Sequence, residues 1–79
     1  MTKTLVHKNI KLSDEFDTYV SGNPSALRRI PKGAHIVITS AHDAALSAAN
    51  TSIARNSRSG QFVEAHKADG SWRIREFQK

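Results

Sequence analysis

Four histidines, His7, His35, His42 and His66, are the side chains of this 79-residue chain best suited to acid–base work or metal ligation. No two of them fall at the spacing that sets two ligands on one helix face, and no cysteine is present to supply a thiolate. No metal centre is expected. His42-Asp43 follows the apolar run Ala34–Thr39, and the carboxyl end of a strand is where open α/β sheets bind ligands. The same pair stands where a helix begins, and capping of backbone amides is the simpler reading. His66 reads as a solvated histidine on a sheet face. The serines at 40, 47, 52, 57, 59 and 71 occupy capping, helical or turn positions, and none sits in a nucleophile elbow. Asn50-Thr51-Ser52 spells a glycosylation acceptor but falls in mid-helix. Asp14, Glu15 and Asp17 form a charge cluster on a solvated helix, and a catalytic carboxylate pair needs a cleft that so short a chain does not build. These residues therefore predict neither an enzyme nor a cofactor.

The basic and aromatic residues carry more. Twelve Lys plus Arg against seven Asp plus Glu give a net charge of +5, which favours polyanions and also serves solubility. Counting outward from Asp69-Gly70 as a two-residue turn opposes Lys67 to Trp72, His66 to Arg73, Ala65 to Ile74, Glu64 to Arg75, Val63 to Glu76 and Phe62 to Phe77. One face then gathers Val63, Ala65, Trp72 and Ile74. The other gathers Phe62, Glu64, His66, Arg73, Arg75 and Phe77, a mixture of cations and rings of the kind that holds single-stranded RNA or DNA. Arg28, Arg29 and Lys32 form a second basic cluster that would extend such a track. The competing reading covers Phe62 and Phe77 with a helix or a second subunit and spends the arginines on Glu64 and Glu76. A helix-turn-helix over residues 5 to 30 is weaker, because Pro31 cuts the second helix short.

The elements that must position these groups follow from periodicity. Leu5, Val6, Ile10, Phe16, Tyr19 and Val20 predict an amphipathic helix over about 5–20, or one starting at Ser13, ended by Gly22. Asn23-Pro24 predicts a capped short helix to Ile30, stopped by Pro31 and Gly33. Ala34–Thr39, with β-branched Ile36, Val37 and Ile38, predicts a strand buried on at least one face, placed centrally. Ser40, His42 or Asp43 then caps a helix to about Ser57 with the stripe Ala45, Leu46, Ala49, Ile53 and Ala54, Arg55 and Arg58 at its negative end, and Gly60 as the stop. A strand–helix–strand unit makes the strands at 35–39 and 61–67 parallel, with the last strand antiparallel.

Seventy-nine residues allow one domain, 1–79, with a thin core. No run approaches bilayer length and the start lacks the apolar stretch of a signal peptide, so no membrane partner is expected and a cytoplasmic location is.

The segments HKNIKLSDEFDTYV, IPKGAHIVITSAHDAALSAANTSIAR and GQFVEAHKADGSWRIREF resemble a family of short prokaryotic proteins known only as a domain of unknown function. The resemblance implies an N-terminal helix, a proline-glycine turn, a buried strand, an acidic helix entry and a closing strand. The small-residue helix 44–54 and the terminal hairpin depart from it, and it brings no functional residues. The expectation is an α+β fold with an α/β-type core, in the order α-α-β-α-β-β, with a small three-stranded mixed sheet packed by helices. Its function is expected to be that of a small interaction or regulatory module. It would bind an unidentified protein and a second copy of itself through Val37, Phe62 and Phe77. The alternative is single-stranded nucleic acid held by Arg28, Arg29, Lys32, His66, Arg73 and Arg75.

Overall fold

Asp69 and Gly70 both adopt positive φ, 50° and 79°, the backbone that joins two antiparallel strands with the twist they need. The computed structural model describes residues 3–57 and 60–77. It contains helix α1 (Lys3–Ser21), α2 (Pro24–Leu27), strand β1 (His35–Ser40), α3 (Ala44–Asn56), β2 (Phe62–Ala68) and β3 (Ser71–Glu76), an α+β arrangement in the expected order. The strands form one mixed sheet in the order β1-β2-β3. β2 and β3 pair antiparallel from Val63↔Glu76 to Ala68↔Ser71, and the Phe77 amide donates to the Phe62 carbonyl, so the whole expected register is present. β1 and β2 are parallel, from His35↔Phe62 to Ser40↔Lys67.

β1 is an edge strand and not the central one. Its apolar character comes from helices on both sides: Val37, Ile38 and Thr39 are all buried. α1 covers the face of Val63, Ala65 and Trp72, where Phe16 meets Trp72 edge-on with centroids 5.0 Å apart and Glu15 pairs with Lys67. α3 lies against the opposite face, since Thr51 and Arg55 share a recess with Glu64, Arg75 and Phe77. The two helices meet around the outer edge of β1, where the Asn9 and Asn50 carboxamides hydrogen-bond to each other.

α1 is continuous because nothing in it breaks a helix before Gly22; Ser13 does not start it. Its inward line runs through Leu5, Asn9, Leu12, Phe16 and Tyr19, at steps of three to four from the buried Phe16. Val6 and Ile10 are out of phase with that line and stay exposed. α2 ends three residues earlier than expected. The Asn23 side chain does not cap it, and instead donates from Nδ2 to the Tyr19 carbonyl at the end of α1. Asp43 is the cap of α3, accepting from the Leu46 amide at 3.0 Å. Within α3, Leu46 and Ala54 are buried, whereas Ala45 and Ile53 face solvent. Arg58 and Ser59 lie outside the described residues.

Ser47 and Asn50 turn toward β1 instead, and they serve its backbone. The Ser47 hydroxyl accepts from the Ser40 amide at 2.9 Å, and Asn50 Nδ2 donates to the Ile38 carbonyl at 2.8 Å. The upper half of the β1 edge is thus sealed by side chains. At the other edge, the Phe77–Phe62 bond fixes the phase of β3, so Trp72, Ile74 and Glu76 turn their backbone groups outward. No helix among the described residues is long and apolar enough to cross a membrane.

Candidate binding surfaces on the sheet

The face flanked by α3 is a lattice of three rows across the strands: His35–Phe62–Phe77, Val37–Glu64–Arg75 and Thr39–His66–Arg73. The register brings His66, Arg73, Arg75, Phe62 and Phe77 together as the sequence requires. In the first row His35 and Phe62 centroids are 5.2 Å apart, and Phe62 and Phe77 6.3 Å. Gly60 is needed beside this row: its φ is +98°, and a Cβ there would come 2.8 Å from the His35 ring.

Val37 does not join them. It is 5% exposed, enclosed between α3 and the sheet, so the expected patch of Val37, Phe62 and Phe77 does not exist as a surface. The reason is the edge position of β1: with a helix on each face, residues of both parities go inside.

In the middle rows a polar network replaces the apolar patch. Arg75 donates from Nε to Glu64 Oε1 at 2.9 Å and from NH2 to Oε2 at 3.2 Å, the two-pronged geometry that suits a carboxylate. The buried Thr39 hydroxyl donates to Glu64 Oε2 at 2.6 Å and lies 2.7 Å from His66 Nδ1. The Arg75 guanidinium holds the Glu64 carboxyl below its ordinary 4.5, against the cost of burial and with help from Thr39. The Glu64 carboxylate in turn raises Arg75 further. His66 is thus a half-buried, tethered ring and not a solvated one. A carboxyl whose folded pKa is depressed contributes stability that is complete above its unfolded value and lost as pH falls through the folded one. Urea midpoints of the wild type and Glu64→Gln should therefore differ at neutral pH and converge as the pH drops below 4.5. A gap that persists in acid would show that the carboxylate charge is not what matters.

Arg73 is exposed and makes no ion pair among the described residues. Arg28, Arg29 and Lys32 are exposed too, and Arg29 lines a recess with Pro31, Val63, Ile74, Arg75 and Glu76. Arg55, on the α3 side, borders a recess of about 410 Å³ with Thr51, Glu64, Arg75, Glu76 and Phe77. The sequence marked Arg55 only as a helix-end cation, and its proximity to β3 depends on how α3 lies on the sheet.

Two further surfaces are formed. At the lower half of the β1 edge is a shallow groove of about 240 Å³, lined by Asn9 and Ser13 of α1, Ile36–Ile38, Asn50, Ile53 and Ala54 of α3, and Phe62. Ile36 and Ile53 are 36% and 60% exposed. Between α1 and the hairpin, Tyr19 and Trp72 border a cleft with two cations, Lys11 and Lys67, of which Lys67 already sits 5.9 Å from the Trp72 ring centre and pairs with Glu15. His42 contacts Asp69 at 3.3 Å in full exposure, and Asp43 holds Lys8 at 3.0 Å as well as the Leu46 amide, which together keep its carboxyl below the ordinary range. That pair is committed to turn and cap. No group of three or more potential metal ligands occurs among the described residues.

No curated protein and no solved structure matches the chain. A family model described as a family of unknown function, DUF5647, matches residues 4–75, from the second residue of α1 to the penultimate residue of β3. With helices, sheet and hairpin all inside that match, the chain belongs to the DUF5647 family.

Proposed function

We propose that this chain is a non-enzymatic binding module that acts by protein–protein association, and that its partner is a second copy of itself docked on the groove at the β1 edge. The observation that carries this reading is the surface left open there. Among the described residues eight apolar side chains are buried, and three of them, Ala26, Ala54 and Ala65, are alanines, while Ile36 and Ile53 stand in water beside the groove. A core so poor in large side chains leaves a small domain marginal on its own.

Light scattering coupled to size exclusion tests the reading. The wild type is expected to run as a dimer at micromolar concentration, and Ile53→Asp as a folded monomer, because the aspartate would be buried without a partner in the pair. Phe77→Asp, outside the groove, should leave the dimer in place. A wild type that stays monomeric, or an Ile53→Asp protein that stays dimeric, removes the proposal.

A further inference from the structure

We propose that the trough over β2 and β3 on the α3 side binds single-stranded nucleic acid. Arg73 and Arg55 take phosphates, Phe77 stacks a base, and His66 accepts a hydrogen bond from a base edge. The site is separate from the β1-edge groove and stands or falls independently of the dimer.

The argument begins with one hydrogen atom. Thr39 has a single hydroxyl proton and two close partners, Glu64 Oε2 at 2.6 Å and His66 Nδ1 at 2.7 Å. Glu64 is gripped by both prongs of Arg75, so it is ionised and only accepts. The Thr39 proton therefore goes to Glu64, and His66 must donate from Nδ1 to the Thr39 oxygen. A neutral imidazole carries one proton, which leaves Nε2 as a bare acceptor. Thr39 is buried, so this chain of donors is shielded from water. Glu64 and Arg75 spend their charges on each other, and the network's outcome is a ring of fixed tautomer beside an arginine, Arg73, that pairs with nothing among the described residues.

The rest of the trough supplies what a strand of nucleic acid needs around that acceptor. Arg55 rises from α3 as a wall, and Phe77 closes the lower end with its ring held against Phe62. Cations along a groove with a ring for stacking are the general means of holding single strands. A nucleotide brings phosphate acceptors for the arginines, base N–H donors for the His66 lone pair and a base face for Phe77. Duplexes keep their base faces stacked and cannot use Phe77.

The test is fluorescence anisotropy with end-labelled single-stranded RNA and DNA of about ten bases, the length suited to one small sheet. Matched duplex and polyglutamate serve as competitors. The wild type should bind single strands, with affinity falling log-linearly as salt is added. Arg73→Glu, Arg55→Glu and Phe77→Ala should each weaken binding by about tenfold or more, the effect of one phosphate contact or one base stack. Lys32→Glu, outside the trough, should change it far less. Nitrogen-15 spectra of the His66 ring give a readout that does not depend on binding: the neutral ring should carry its proton on Nδ1. Absence of binding at low salt overturns the proposal. So does equal competition by polyglutamate, undiminished binding by Arg73→Glu with native circular dichroism, or a neutral His66 protonated on Nε2.

Discussion

Replacing Leu46 by alanine is expected to leave the protein largely unfolded well below the temperature at which the wild type melts. Leu46 is the largest side chain among the described residues with no exposure at all. Truncating such a residue costs about 2–5 kcal/mol, the transfer term plus the cavity left behind. A domain of 79 residues has roughly 4–12 kcal/mol in total, at the usual 0.05–0.15 kcal/mol per residue. The loss is therefore a large fraction of what the fold has. Urea unfolding followed by the emission of Trp72, the only tryptophan, measures the effect directly. Leu46→Met keeps the volume and should cost less than about 1.5 kcal/mol. Equal midpoints for the wild type and Leu46→Ala would mean that α3 does not anchor the sheet.

The second large effect is expected at Thr39. Thr39→Val preserves shape, so packing against α3 stays and only the hydroxyl is lost. His66 Nδ1 then lacks its partner, and Glu64 Oε2 keeps only Arg75, in a place where the Glu64 side chain is only 15% exposed. Leaving groups unsatisfied in such surroundings costs about 1–3 kcal/mol. Thr39→Ser keeps the hydroxyl and should retain most of that. In a Glu64→Gln background the valine substitution should cost a different amount, since residues of one hydrogen-bonded network are not additive. Strict additivity in the cycle would show that the hydroxyl does not link the two side chains.

What could be read from the sequence depended on whether local signals were enough. The hairpin register followed from Asp69-Gly70 and a period of two, both of which act within fifteen residues, and Glu64 was matched to Arg75 on that basis. The partnership of Thr39 with His66 needed the register between β1 and β2, and a helical crossover leaves that free. Alanine-rich α3 gave too few large side chains to fix its phase. Hydropathy points Ile53 inward, whereas Ser47 and Asn50 take the inner positions because the β1 backbone needs their hydrogen bonds. Val37 is inside for a complementary reason: burial of a strand on both faces depends on where the helices lie, and the sequence of the strand is silent on that. Arg55 became a candidate only once α3 had a side of the sheet to lean on.

The outward backbone of β3 has a consequence for growth. A sheet with two edges can lengthen into a ribbon if the second edge accepts its own kind. Two-fold pairing of β3 with another β3 must match outward residues to outward residues, and then odd positions face odd positions. Centred on Arg73, Ile74 or Arg75, every such register sets one arginine directly across from another, a repulsive arrangement. In these central registers β3 resists adding a copy of itself. Because screening shortens the reach of surface charge to about 8 Å at physiological ionic strength, concentrated salt is the condition under which this barrier weakens and ribbons become accessible.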